Sequence, residues 1–163
     1  MANLCEFSML IKGEPQKLLE VRKIFLADYD YSKDKVMCNE DYHVFRTWVD
    51  GNANDTDVSH GYLSLCGECA WSVASCMLED GYYRDYVTRE GFKGITLNQI
   101  SERYGVDIEV YSKEYGMAFE EHFLIRNGKF EIDDVVEFES IYDEESDDWI
   151  GENGGFGEWQ FSI

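Results

Sequence analysis

The sequence predicts an α+β fold, a mostly antiparallel sheet with helices packed on one face, and three local patterns carry that reading. The first is a helix start. In Ile95-Thr96-Leu97-Asn98-Gln99-Ile100, Thr96 caps the helix, Gln99 reaches back to it and Ile95 staples against Ile100. Gly105 supplies the stop. The second is alternation: Val106, Ile108 and Val110 interleave with Asp107, Glu109 and Tyr111, which makes a strand with one apolar and one polar face. The third is a hairpin. Asn127-Gly128, the dipeptide a two-residue type I′ turn prefers, sits between Phe119-x-x-x-Phe123-x-Ile125 and Phe130-x-Ile132. In that register Ile125 faces Phe130 and Phe123 faces Ile132. On the opposite face His122 lies across from Asp133 as an exposed cross-strand charge pair. A slip by one residue would put Glu131 and Asp133 where the apolar partners belong, so the register is strongly specified.

The other elements follow in order. Cys5, Phe7, Met9 and Ile11 alternate with Leu4, Glu6, Ser8 and Leu10, a buried opening strand that Gly13 ends. Pro15 suits a first helical turn, where its missing N–H costs nothing, and Leu18, Val21 and Phe25 continue as an apolar stripe. Asp28 to Glu40 is polar and weakly patterned and reads as a loop. Tyr42 to Val49 is β-branched and aromatic enough for a strand, ended by Asp50-Gly51-Asn52, and Gly61 to Cys66 reads as another. Glu68 to Tyr86 reads as a short helix ending near Gly81, and Gly91 and Gly94 bracket the passage to the capped helix. After Val136 the pattern decays. Residues 1–136 therefore read as the α+β domain and residues 137–163 as an acidic, aromatic, glycine-containing appendage. So many aromatics are foreign to a disordered tail, so part of the appendage is expected to pack back or to bind.

Composition narrows the function. The chain of 163 residues is 44% hydrophobic and 15% aromatic, enough for a core, and its net charge is −20. After Lys129 there is no Lys or Arg, while twelve Asp and Glu residues follow. Such a surface repels nucleic acid and anionic membranes and favours basic partners, among them proteins that bind nucleic acid; plain solubility is the other use of such charge. The run Met9-Leu10-Ile11 is too short for a signal peptide or a membrane span. Five cysteines without a disulfide framework suit a reducing cytoplasm.

One motif invites an enzyme reading. Cys66-Gly67-Glu68-Cys69, placed after a strand and before a helix, has the spacing of a thioredoxin-like redox pair. Two features oppose it: the only proline, Pro15, starts the first helix, so no cis-proline faces the pair, and Glu68 raises neighbouring thiol pKa values. Zinc held by the same pair with Cys76, His60 or His43 lacks a second closely spaced ligand pair. Small buried hydrophobes are the plainer role for these cysteines. No phosphate loop is present, and the aromatics have no basic groove to make a base-stacking surface. No catalytic residue, metal ligand or cofactor is assigned.

Three patches together resemble the Api-like proteins of phages and prophages. Met1-Ala2-Asn3-Leu4-Cys5 with Ile11-Lys12-Gly13-Glu14-Pro15 is similar to the family's opening, with Leu4 and Phe7 where tryptophan and asparagine are common. Ala70-Trp71-Ser72 is similar to its central Ala-Trp-Ser, with Val73 and Ala74 in place of the usual prolines. Glu114-Tyr115-Gly116-Met117-Ala118-Phe119 followed by Asn127-Gly128 is similar to its Gly-Met-x-Phe strand and turn. The resemblance spans residues 1–132 and implies a ferredoxin-like domain and a phage origin; it brings no catalytic residues. The expected function is a non-enzymatic phage-type inhibitor, anti-CRISPR or otherwise anti-defence, working in the host cytoplasm. Its acidic surface would mimic DNA and block a basic, nucleic-acid-binding host protein such as a CRISPR effector, without binding nucleic acid or membrane itself. The expected contact residues are Glu137, Phe138, Glu139, Tyr142, Asp143, Glu144, Glu145, Asp147, Asp148 and Trp149. The alternatives are a small redox or zinc protein centred on Cys66 and Cys69, and an acidic accessory protein without mimicry.

Overall fold

The computed structural model describes residues 3–26, 28–30, 35–37, 42–50, 58–81 and 93–163. The elements in chain order are β1 (Leu4–Lys12), α1 (Pro15–Phe25), β2 (Asp28–Asp30), β3 (Lys35–Met37), β4 (Tyr42–His43), β5 (Thr47–Val49) and β6 (Tyr62–Ala70). They continue with α2 (Val73–Met77), β7 (Lys93–Gly94), α3 (Leu97–Tyr104), β8 (Asp107–Glu114), β9 (Phe119–Arg126), β10 (Lys129–Asp143) and β11 (Asp148–Gly154). Seven strands form one sheet in the order β11-β10-β9-β8-β1-β6-β5, and every neighbouring pair in it is antiparallel. The fold is thus α+β with a mostly antiparallel sheet, as expected.

Period-two alternation decides where the core sits. Met9 lies between Leu65 and Val110, Ile11 between Leu63 and Ile108, while Phe123 and Ile125 continue the row on β9. All of these side chains are buried, and Leu18, Val21 and Ile24 of α1, Val73 and Met77 of α2, and Leu97 and Ile100 of α3 join them in one cluster. The helices therefore cover one face of the sheet.

The local signals around α3 are realised in full. The Gln99 N–H donates to Thr96 Oγ1 at 3.2 Å and the Thr96 N–H to Gln99 Oε1 at 3.0 Å, a reciprocal capping box, and Gly105 ends the helix at φ 65°. The same helix then grips the hairpin turn. Asn127 and Gly128 adopt φ 49° and 75°, as a type I′ turn demands, and Gly128 receives the Asn98 amide on its carbonyl while its N–H donates to Ser101 Oγ.

Five sequence expectations are corrected. Ile125 does face Phe130, but a bulge between Phe130 and Ile132 shifts the pairing, so Phe123 lies opposite Asp133 and His122 opposite Asp134. Residues 28–40 hold a two-stranded ribbon of β2 and β3 within the stretch read as a loop. The strand read across Tyr42–Val49 is broken by a turn at Phe45 and Arg46, the latter at φ 43°, so β4 pairs parallel with β7 while β5 joins β6. Strand β6 runs on to Ala70, and α2 starts only at Val73, after Ser72 caps it by accepting from the Ser75 N–H. Finally, the boundary expected at residues 136 and 137 falls inside β10, which is continuous from Lys129 to Asp143. Gly51, Asn52, Gly91 and residues 82–86, which figured in the expected turns and helix, lie outside the described residues.

Candidate functional site

Beyond Val136, β10 and β11 make a hairpin arm at the edge of the sheet, paired from Phe138 with Gly154 to Asp143 with Asp148. Every β11 side chain is exposed. Glu137, Glu139, Glu144, Glu145, Asp147 and Asp148 are exposed as well, and Asp143 is half-buried. The acids at the arm's turn shape it. Asp143 accepts from Ser146 Oγ at 2.7 Å and from the Ser146 and Glu145 N–H groups, which holds its carboxyl below the usual range. The Tyr142 hydroxyl donates to Asp147, which pushes the phenol pKa up. Tyr142 and Trp149 face each other across the strands edge to face, ring centroids 5.1 Å apart, and Trp149 keeps 63% of its surface in water.

Nine of the ten expected contact residues thus lie at least partly open along one arm, and the tenth does not. Phe138 is 4% exposed, packed edge to face on Tyr115, with the Lys113 ammonium 4.4 Å from its ring centre. It supports the arm from inside the sheet. Sequence reading missed Tyr115, Met117 and Ile150, all exposed large side chains, and Ile141 in the acidic run is exposed as well. The only signal for them was their place next to turns, where an apolar side chain has no neighbour strand to bury it.

At the base of the arm the chain reverses and covers the sheet face that the helices leave open. Gly154 at φ 90° and Gly155 at φ 74° make the reversal; a Cβ at Gly155 would stand 2.7 Å from Glu120 Oε2. The Phe156 N–H donates to that same oxygen at 2.6 Å. Further on, Glu109 Oε2 accepts the Ser162 and Ile163 N–H groups at 2.6 and 3.1 Å, and Oε1 accepts Ser162 Oγ and meets His122 Nε2, both at 2.8 Å. Tyr111 stacks on His122 at 3.9 Å between ring centres, with Trp159, Phe156 and Phe161 around it. His122 is therefore a buried member of an aromatic and carboxylate cluster, and the expected exposed pair with Asp133 does not form. Burial alone would raise the Glu109 pKa, but the hydrogen bonds from His122, Ser162 and Ile163 outweigh it and bring the carboxyl below its ordinary value. The expectation that part of the C-terminal stretch packs back is met by residues 155–163.

Cys66 and Cys69 do not form a pair. Both lie in β6, where residues three apart leave opposite faces, and Cys66 is exposed while Cys69 is buried against Cys5, its partner across β1. The neighbouring Cys5 and Cys76 thiols, and burial after them, push the Cys69 pKa up, toward an unreactive thiol. Among the described residues no group of three or more His, Cys, Asp or Glu is placed to hold a metal ion, and no helix is long and apolar enough to cross a membrane.

Fold and site together define an α+β sheet protein that carries an acidic, aromatic hairpin arm. No family model matches the chain, and no curated protein or solved structure matches it.

Proposed function

We propose that the chain is a non-enzymatic, phage-type inhibitor whose arm occupies a basic, nucleic-acid-binding site on a host effector such as a CRISPR nuclease. The observation that carries the reading is the arm itself: eight Asp and Glu residues between Glu137 and Glu152, no Lys or Arg among them, and Tyr142, Trp149 and Ile150 exposed alongside. Glu137 and Glu139 leave one face of β10 about 6.8 Å apart, twice the roughly 3.4 Å spacing of charges along one DNA strand. A row of Lys and Arg built for phosphates meets carboxylates at a compatible pitch. The charges steer encounter and the aromatics hold the complex.

The resemblance to Api-like proteins supports a phage origin. On this reading β1, β6, β8 and β9 with their helices are the counterpart of that family's ferredoxin-like domain. The kinship rests on the three sequence patches, because β1 and β6, the strands on either side of α1, are direct antiparallel neighbours, where a split βαβ unit sets a third strand between two parallel ones.

The test is capture of partners from a bacterial lysate at low and high salt, comparing the full chain with a variant in which Asp143, Glu144, Glu145, Asp147 and Asp148 are changed to Asn or Gln. The expected result is one basic nucleic-acid-binding protein, held by the full chain, lost with the variant at low salt, and released by its own nucleic acid. A partner that binds chain and nucleic acid together, with neither affinity changed, excludes mimicry. A variant that keeps the partner and only aggregates more readily returns the acidity to solubility.

A further inference from the structure

A groove of about 730 Å³ lies where the arm leaves the sheet, lined by Tyr115 from the turn after β8, Ser140 from β10, and Trp149, Gly151 and Glu152 from β11. We infer that this groove receives an arginine side chain displayed by the basic partner; the inference rests on the proposed function and names what the arm grips.

Three observations lead there. First, the aromatic walls are open: Tyr115, in the turn after β8, and Trp149, paired with Tyr142 in the arm, are 53% and 63% exposed. Second, the side chains that line the groove on the arm share one face of it. Ser140 stands opposite Glu152 and Tyr142 opposite Trp149, while the bulge beside Ile141 turns Gly151 to the other face, so small Ser140 leaves the space between the rings and Glu152 open. Third, the surroundings already hold a cation in the same manner. Lys113 Nζ sits 5.2 Å from the Tyr115 ring centre and 4.4 Å from that of Phe138, paired with Glu120 at 3.2 Å and with Glu152. Two carboxylates serve that one ammonium, and Glu6 Oε2 lies 3.5 Å from the Tyr115 hydroxyl, so the wall stays net negative with Lys113 in place.

An ammonium is compact and strongly hydrated, whereas a guanidinium is planar and weakly hydrated, stacks on aromatic faces and still forks to a carboxylate. Open rings beside a carboxylate favour the guanidinium. The space beyond the rings takes its aliphatic stem, and no described strand pairs with the outer edge of β11, so the partner's backbone has access.

The experiment titrates the full chain with a short glycine-flanked peptide carrying one arginine, and with matched lysine and citrulline peptides, following the Trp149 indole N–H and the Gly151 and Glu152 amides by NMR. Shifts confined to these residues are expected, strongest with arginine, weaker with lysine and absent with citrulline. Ser140→Leu fills the groove and should weaken arginine binding by about tenfold, and Trp149→Leu should do the same. Amide spectra unchanged outside the arm show that both variants are folded. Citrulline binding as well as arginine, or equal arginine binding by the wild type and both variants, overturns the groove. The two readings separate in lysate capture: if Ser140→Leu keeps the basic partner and the five-acid variant loses it, the groove falls and the arm stands. If both variants keep it, both readings fall.

Discussion

The glutamates of β8 and β9 and the acids of the arm share one chemistry and meet opposite surroundings. Glu109, Glu114, Glu120 and Glu121 are buried, and each accepts backbone N–H groups: Glu109 from Ser162 and Ile163, Glu114 from Gly116 and Met117, Glu120 from Phe156, Glu121 from Val73 and Ala74. They are internal fasteners for a turn, a helix start and the C-terminal segment. The arm's carboxylates, Asp143 apart, are exposed and make few contacts beyond their own turn. A net charge of −20 therefore overstates the uniformity of the surface. Only the second population is available to a partner, because a buried carboxylate already has its donors.

The largest expected effect lies in the core that both populations border. Phe123 is 1% exposed and stands opposite Val110, so Phe123→Ala should cost about 3–5 kcal/mol in urea denaturation. A loss below about 1 kcal/mol would show that β9 is not packed under the helices. Next comes Glu121→Ala. It strips the N-terminus of α2 of its acceptor and leaves the Val73 and Ala74 N–H groups and Ser112 Oγ unpaired, at about 3 kcal/mol. Glu109→Ala should cost about 2 kcal/mol and free residues 155–163, seen as lost near-ultraviolet circular dichroism of Trp159 and faster amide exchange at Ser162 and Ile163.

The pH dependence sharpens the contrast within the buried pair. Glu109 has a folded pKa below its unfolded value of about 4.3, so its contribution is full above that pH and is lost as pH falls through the lower folded value. Glu121 runs the other way. Burial raises its pKa and the hydrogen bonds from Ser112, Val73 and Ala74 offset only part of that, so stability falls as pH rises from about 4.3 to the raised folded value. Denaturation midpoints of Glu109→Gln should lose the acid-side decline, and those of Glu121→Gln the decline toward neutral pH. Identical profiles for wild type and both variants would place the two carboxyls in water.

The smallest effect belongs to the arm. Changing Asp143, Glu144, Glu145, Asp147 and Asp148 to Asn or Gln should move global stability by no more than about 0.5 kcal/mol. A loss like that of Glu109→Ala would make the arm's acids structural and erase the distinction between the two populations.

How much of this was legible in advance follows from distance along the chain. The capping box of Thr96 and Gln99, the stop at Gly105, the turn at Asn127-Gly128 and the alternation from Cys5 to Ile11 rest on interactions within a few residues, and all were readable before any contact was known. The acidity and aromatic content of the arm were readable for the same reason, since composition needs no partner. Tertiary structure decided what meets across long separations. The bulge between Phe130 and Ile132 reset the hairpin pairing, because a one-residue insertion leaves no local mark. The run of β6 through Cys66 and Cys69 to Ala70, which separates the two thiols, depends on pairing with β1 at the far end of the domain. The polar face of β8 looked solvent-bound by its own alternation; it is buried because Ser162, Ile163 and the aromatics before them fold over Glu109, Tyr111 and His122. A carboxylate is exposed or enclosed according to which donors reach it, and those donors lie more than fifty residues away in sequence, at 53 and 54 positions from Glu109.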